Sequence, residues 1–178
     1  MPPAPPPKLL IVIAVDMLSS DLFDEYRPQF TGGLARLARG AAFRNGYQAH
    51  AATETCPGHA GMLTGAYPAR AGIVANDWYD LGAAREDKHI YCAEDESVPG
   101  SNSDRYTVSP VHLRVPTLGD MLKARSPRSL NIAVAGKDRA AVMMSGRRVD
   151  QRWYFPKDRF ITDLTAARVP GAVAATNR

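Results

Sequence analysis

The sequence predicts an α/β protein with a mainly parallel central sheet flanked by helices. Two observations lead to this fold class. Continuous apolar runs of strand length occur at residues 9–15 and 129–136, and segments with helical spacing separate them. Because strands that alternate with helices are typical of parallel sheets, the order of these segments favours an α/β architecture. A length of 178 residues fits one domain of ordinary size.

The first 40 residues contain one predicted strand and two predicted helices. Residues 9–15, LLIVIAV, are β-branched and apolar throughout, which predicts a buried parallel strand. Residues 22–30 predict a short helix that breaks near Pro28. The leucine spacing in residues 32–40 predicts a second helix, with Gly40 as its stop signal.

The middle of the chain begins with a predicted helix within residues 56–65. Pro57 stands near its first position, where proline is favoured, and Gly65 follows its end. Residues 76–112 have no regular pattern, so they predict either a functional excursion or a small hairpin. Residues 115–127 predict another helix that prolines bound on both sides.

The two ends of the chain differ in character. Residues 129–136 predict another buried strand, and residues 140–163 predict short strands and turns. Residues 1–8, MPPAPPPK, form a proline-rich lead-in that lacks the charged and apolar regions of a secretory signal. The folded domain is therefore expected over residues 9–178.

Composition excludes some function classes and leaves the cysteines undecided. The formal charge is +4, and the basic residues are scattered, which argues against a nucleic-acid partner. No apolar run approaches the roughly 18 residues of a membrane span. Cys56 and Cys92 fit two buried thiols or, in an oxidising compartment, a disulfide.

Asp16 directly follows the first predicted strand. In open α/β sheets, ligand sites lie beyond the carboxyl ends of the strands. A helix cap or a solvated turn is the ordinary explanation for an acid at this place, and a metal ligand is the functional one.

Thr53 and Thr55 stand immediately before the helix predicted to begin near Pro57. Capping that helix is the ordinary role of a threonine there. The same place offers free N–H groups to an anion, and a hydroxyl group beside a bound phosphoryl group could attack it. His50 and His59 are not spaced as a pair of metal ligands, and a packed or hydrogen-bonded role is predicted for His59.

Lys137 and Arg139 follow the predicted strand at residues 129–136. On an extended segment, residues two apart point the same way, so both cations could reach one anion. The ordinary explanation is a solvated surface pair. The ends of the predicted strands and helices thus carry a carboxylate, a hydroxyl and two cations, which one fold would bring together.

Three ordered motifs resemble the alkaline phosphatase superfamily. They are IAVDMLSSDLFDEYRP, ATETCPGHAGMLTGAYPARAGIVANDWYD and AGKDRAAVMM, and together they extend over most of the chain. The resemblance is greatest to its threonine-nucleophile alkaline phosphatases, which stand next to the nucleotide pyrophosphatases and phosphodiesterases. The fold implied is the alkaline-phosphatase-like α/β fold, incomplete in this chain.

The resemblance assigns roles to five residues. The family pattern Thr-x-Pro-x-His implies that Thr55 is the nucleophile and a metal ligand. Asp16 matches a zinc-ligating aspartate, and Asn76 matches an asparagine that donates to a phosphoryl oxygen. Lys137 and Arg139 match the Lys-x-Arg pair of the monoesterase branch.

The activity implied is zinc-dependent hydrolysis of small phosphate monoesters through a covalent phosphothreonine. Two zinc ions are expected, with most ligands outside residues 9–178, which would be the N-terminal part of the catalytic domain. A phosphodiesterase or nucleotide pyrophosphatase and a non-catalytic anion-binding fragment are the alternatives. Periplasmic or secreted location is implied by the family, and the sequence leaves the oligomeric state open.

Overall fold

The computed structural model describes residues 8–178 and divides the chain into two compact units. One unit ends at Tyr47, and the other begins at Gln48. The predicted proline-rich lead-in over residues 1–8 lies, except for Lys8, outside the described residues. No helix within the described part of the chain is long and apolar enough to cross a lipid bilayer.

The first unit contains two short helices, as the sequence predicts. Helix α1 (Ser20–Tyr26) begins after Ser19, whose hydroxyl oxygen accepts a backbone hydrogen bond of 3.1 Å from the first turn. A 3₁₀ turn (Arg27–Gln29) follows, and its proline at the second position accounts for the break. Helix α2 (Gly32–Leu37) comes next.

Residues 9–15 correct the sequence prediction. The segment forms no strand in the described structure, and its side chains are largely exposed, with Leu9 at 73% and Ile11 at 68%. A strand needs a neighbouring strand to pair its backbone N–H and C=O groups. The apolar pattern is that of a strand, but the described residues provide no pairing for it.

The second unit contains the remaining elements. In chain order they are α3 (Thr55–Thr64), α4 (Pro68–Ala71), β1 (Asp77–Tyr79), β2 (His89–Tyr91), α5 (Leu118–Arg125), β3 (Ile132–Ala135), α6 (Asp138–Ser145), β4 (Gln151–Tyr154) and α7 (Gly171–Thr176). Helix α5 confirms the prediction for residues 115–127, and Thr117 caps it in a reciprocal capping box with Asp120.

The strands of this unit form two separate pairs. Strands β1 and β2 are antiparallel, with Trp78 opposite Ile90, so residues 76–112 contain the small hairpin that was one of the two predictions. Strands β3 and β4 are parallel, with Val134 opposite Trp153. The parallel pair is the sheet type that the predicted fold class requires.

Helix α6 was not predicted, because residues 140–163 favoured strands and turns. It begins at Asp138, immediately after β3, and packs against that strand. The prediction of a fully buried strand also changes, since Ile132 and Val134 of β3 are exposed and Ala133 is buried. One face of β3 is therefore covered, and the other is not.

The core of the second unit lies where α3 packs against α6. The disulfide bond between Cys56 and Cys92 lies inside it, and both cysteines are fully buried. Small and apolar side chains from helices, strands and loops complete this cluster: Ala60, Ile73, Tyr91, Ala93, Leu113, Val142 and Met143. The core thus joins α3, β2 and α6, the elements that carry most of the candidate site residues.

Candidate active site

Helix α3 begins at Thr55, so this hydroxyl belongs to the first helical residue. Capping by Thr53 or Thr55, the ordinary alternative for these residues, does not occur, because Glu54 occupies the cap position with extended backbone angles (φ −110°, ψ 170°). The Glu54 side chain makes no capping hydrogen bond to the helix. The first-turn amide of Cys56 instead donates to the side-chain oxygen of Asn76 across 2.8 Å.

Asn76 is thereby docked on the start of α3. Its own backbone N–H donates to a carboxylate oxygen of Glu54 at 2.6 Å. Since its side-chain oxygen accepts from Cys56, the donor end of the amide is the part that remains to bind a ligand. The structure therefore brings Asn76 and the helix start with Thr55 together.

The disulfide joins this corner of the site to β2. Cys56 follows Thr55 directly, and Cys92 follows the last residue of β2. The sequence had left a disulfide and two free thiols equally open. The structure has the bridge, with the two Cα atoms 6.5 Å apart.

His59 takes the role expected from the sequence. His59 is buried one turn into α3, and its Nδ1 atom lies 2.8 Å from the carbonyl oxygen of Thr55, which confirms a packed, hydrogen-bonded histidine. His50 lies in the same unit and pairs with the side-chain oxygen of Gln48 at 2.6 Å.

Lys137 and Arg139 do not lie on an extended segment, which corrects the sequence-based geometry. Lys137 is the cap residue of α6, and Arg139 lies in its first turn. Both nevertheless line one cavity of about 550 Å³. Lys137 is exposed, whereas the Nε atom of Arg139 is buried and has no hydrogen-bond partner among the described residues. An anion in this cavity would provide that partner.

A buried carboxylate and three tyrosines form another wall of the cavity. Asp138 stands between Lys137 and Arg139 in the sequence, and its side chain is buried. It accepts a hydrogen bond of 2.9 Å from the hydroxyl group of Tyr91. Burial is the main cause that raises the pKa values of Tyr91 and Tyr106 well above the usual range, and the charge of Asp138 raises them further. Burial also raises the pKa of Tyr154 to about 12. These hydroxyl groups stay protonated and act as donors at neutral pH.

Comparison with known families shows which family the chain belongs to. The family model of type I phosphodiesterase / nucleotide pyrophosphatase matches residues 10–167. The chain belongs to this family. The match covers both units and includes every candidate site residue.

Several relatives of this phosphodiesterase family member are named alkaline phosphatases. The chain is 61% identical over 152 residues to alkaline phosphatase PhoK of a Sphingomonas species and 49% identical over 155 residues to alkaline phosphatase PhoD of Zymomonas mobilis. These matches cover 85% and 87% of this chain, and 27% of each relative. The chain thus spans about a quarter of the length of the curated relatives it matches.

A solved structure supports the predicted fold class. The crystal structure of wild-type alkaline phosphatase PafA superposes with a TM-score of 0.79 at 31% sequence identity. The match covers 97% of this chain and 34% of PafA. The fold is therefore the α/β fold of that phosphatase, and this chain has about a third of it.

Asp16 belongs to the first unit, where it is exposed in a turn directly after residues 9–15. Within residues 8–178, no group of three or more His, Cys, Asp or Glu side chains is arranged to hold a metal ion. A protein zinc ion takes three or four protein ligands. Asp16 and Thr55, the two residues predicted as metal ligands, are fewer than such a site needs.

Three residues of the site region escaped the sequence analysis: Glu54, Tyr91 and Asp138. Glu54 binds Asn76 through a contact between distant parts of the chain, which no local pattern reports. The local signal for α6 was weak, because its buried residues include the polar Asp138 and Ser145 beside Ala141, Val142 and Met143. Recognising that helix would have placed Asp138 on its buried side.

Proposed function

We propose that this chain carries the nucleophile and the phosphate-binding residues of a phosphate monoesterase. The observation that carries the proposal is the hydrogen bond from the Cys56 amide to the side chain of Asn76, which holds Asn76 beside the start of the helix that Thr55 begins. The N-terminus of a helix already favours an anion. The names of the relatives PhoK and PhoD support the same activity class.

Each residue has a distinct task in this proposal. The hydroxyl oxygen of Thr55 attacks phosphorus, the bond to the leaving oxygen breaks, and a phosphothreonine forms, which water then hydrolyses. The side-chain NH₂ group of Asn76 donates to a phosphoryl oxygen. Lys137 and Arg139 neutralise the remaining charge, and charge stabilisation is the main source of catalysis in phosphoryl transfer.

A second solved structure supports this set of residues. It is described as a PafA mutant in which a threonine, an asparagine, a lysine and an arginine are replaced. That threonine and asparagine are as far apart in sequence as Thr55 and Asn76, and one residue again separates the lysine from the arginine. This chain matches that structure at 28% identity with a TM-score of 0.75.

Zinc is the proposed cofactor. Asp16 and Thr55 would contribute oxygen ligands from this chain, and the other ligands would come from outside residues 8–178. When bound, zinc would supply positive charge for the reacting oxygen atoms. The proposed substrates are small-molecule phosphate monoesters.

The proposed location is periplasmic or secreted. The buried disulfide between Cys56 and Cys92 supports it, because structural disulfides persist in oxidising compartments.

Phosphodiester hydrolysis is the second candidate, since the matching family model is that of a phosphodiesterase. A monoester carries about one more negative charge than a diester at neutral pH. Two cations lining one cavity suit the monoester better, because each cation attracts a ligand more strongly when the ligand carries more negative charge. Lys137 and Arg139 therefore favour the monoesterase.

Hydrolysis of an aryl phosphate monoester by the full-length protein tests the proposal. Thr55→Ala is expected to lower kcat by more than about a thousandfold, because no other group provides the attacking oxygen. Thr53→Ala is the matched control, since Thr53 is exposed and only two residues away. Activity in Thr55→Ala equal to that of the unmodified protein would overturn the assignment of the nucleophile.

A further inference from the structure

Three hydrogen bonds hold Asn76, and they engage each of its polar groups except the side-chain NH₂. Its side-chain oxygen accepts from the Cys56 amide at 2.8 Å, and its backbone N–H donates to Glu54 at 2.6 Å. Its carbonyl oxygen accepts from the Cys92 amide at 2.9 Å. The direction of the remaining donor is therefore set by these three neighbours and not by Asn76 alone.

Two of those three neighbours are the halves of one disulfide. The amide of Cys56 holds the side chain of Asn76, and the amide of Cys92 holds its main chain. The bridge fixes the two Cα atoms 6.5 Å apart inside the core. The covalent bond thus limits how far the two amides that hold Asn76 can separate.

Glu54 provides the third hydrogen bond from an unusual place. It occupies the cap position of α3, yet its side chain makes no hydrogen bond to that helix and binds the backbone N–H of Asn76. Glu54 is exposed, so burial of apolar surface does not explain the position of its side chain. A carboxylate at a helix N-terminus is also electrostatically favourable.

We infer that Glu54 and the Cys56–Cys92 disulfide are positioning residues for Asn76. The inference rests on the proposed function, in which the NH₂ group of Asn76 binds a phosphoryl oxygen. A hydrogen-bond donor aids catalysis only when it is already placed for the charge that develops in the transition state. A misplacement of about 1 Å can reduce the rate about a hundredfold. Loss of Glu54 or of the disulfide should therefore lower the rate by displacing Asn76.

The role of Glu54 is tested by two substitutions in the full-length protein. Glu54→Ala removes the acceptor and is expected to lower kcat/KM for an aryl phosphate about tenfold. Glu54→Gln keeps a side-chain oxygen in the same place and should restore most of that loss. Glu86→Ala is the matched control, because Glu86 is an exposed glutamate on another loop of the same unit. Equal losses in the Gln and Ala variants would overturn the role of Glu54.

The role of the disulfide is tested by the double substitution Cys56→Ala with Cys92→Ala. Alanine keeps both backbone amides that hold Asn76 and removes the covalent connection together with two buried sulfur atoms. Activity is measured well below the Tm of each variant, and circular dichroism establishes that the variants are folded. If the double variant does not fold, the Glu54→Ala and Glu54→Gln variants still test whether a neighbouring residue positions Asn76.

Combining these variants with Asn76→Ala separates positioning from general structural damage. The inference expects a loss of about tenfold when Asn76 is present and less than about twofold when Asn76 is already alanine. The same loss in both backgrounds would overturn the inference and leave the proposed function intact. Unchanged activity in both Asn76→Ala and Thr55→Ala would instead refute the proposed function.

Discussion

The hydroxyl group of Tyr91 donates a hydrogen bond of 2.9 Å to a carboxylate oxygen of Asp138 and so joins β2 to the first turn of α6. Asp138 also accepts from the backbone N–H of Arg139 at 2.8 Å. Because burial and the charge of Asp138 hold the pKa of Tyr91 far above neutral, the hydroxyl group remains a donor at neutral pH. The bond connects the disulfide-linked corner of the site to the cation pair.

Tyr91→Phe is expected to lower the free energy of unfolding by about 1–3 kcal/mol, because the buried carboxylate of Asp138 loses a donor. Urea denaturation at neutral pH measures the change. Tyr79→Phe serves as the control, since Tyr79 is 76% exposed, and its effect should stay within about 0.5 kcal/mol. Equal effects of the two substitutions would contradict a stabilising role of the bond.

Lys137→Ala and Arg139→Ala are expected to lower kcat/KM for a phosphate monoester about a hundredfold or more, and for a diester much less. The reason is the additional negative charge of the monoester. Steady-state kinetics of the full-length protein with an aryl monoester and the corresponding diester measure the ratio. Lys157→Ala provides an exposed-lysine control. A similar loss on both substrates would favour the phosphodiesterase alternative.

Asp87 is expected to stabilise the fold above about pH 4. Its carboxylate accepts from the backbone N–H groups of Ser103 and His89, both at 3.0 Å, and from the Ser103 hydroxyl group, which lowers its pKa to about 2. Since the folded pKa lies below the unfolded value near 3.9, this stabilisation is present above that value and is lost as the pH falls towards 2.

The variant Asp87→Asn should therefore have a lower Tm than the unmodified protein at pH 7, and the difference should shrink between pH 4 and pH 2. Thermal unfolding followed over this pH range measures it. Asp104→Asn is the comparison, because Asp104 is an exposed carboxylate directly after Ser103, in the loop that follows β2. A Tm difference that stays constant down to pH 2 would show that the charge of Asp87 does not contribute.

Gly72→Ala is expected to destabilise the protein more than Gly65→Ala. Both glycines have positive φ angles, of 85° and 66°, which an alanine adopts at a cost of about 1 kcal/mol. Only at Gly72 would the added Cβ atom collide with a neighbour, the carbonyl oxygen of His112. Urea denaturation should give a loss of more than about 2 kcal/mol for Gly72→Ala. Equal losses of unfolding free energy would show that the backbone near His112 moves to accommodate the added Cβ atom.

Local signals predicted the helices that lie around the site. Helix α3 was recognisable from Pro57 near its start and Gly65 after its end, and Gly65 does adopt the left-handed C-cap conformation. Helix α5 was recognisable from the prolines around it, and Thr117 caps it. These features act within a few residues, so the sequence alone is sufficient to locate them.

The features that the sequence did not predict depend on contacts between distant residues. The bond from the Cys56 amide to Asn76 joins residues 20 positions apart, and that from Tyr91 to Asp138 joins residues 47 positions apart. The strand predicted at residues 9–15 had the right composition, but a strand forms only with a partner. Helix α6 was missed because its first turn was interpreted as an extended segment.

The exposed apolar segment at residues 9–15 has a practical consequence for handling these 178 residues as an isolated polypeptide. Seven consecutive apolar residues that pair with no strand among residues 8–178 form a template on which copies of the chain can add edge to edge. Concentrated samples are therefore prone to aggregate through this segment. A lysine in place of the 68% exposed Ile11 is therefore expected to improve the solubility of these residues.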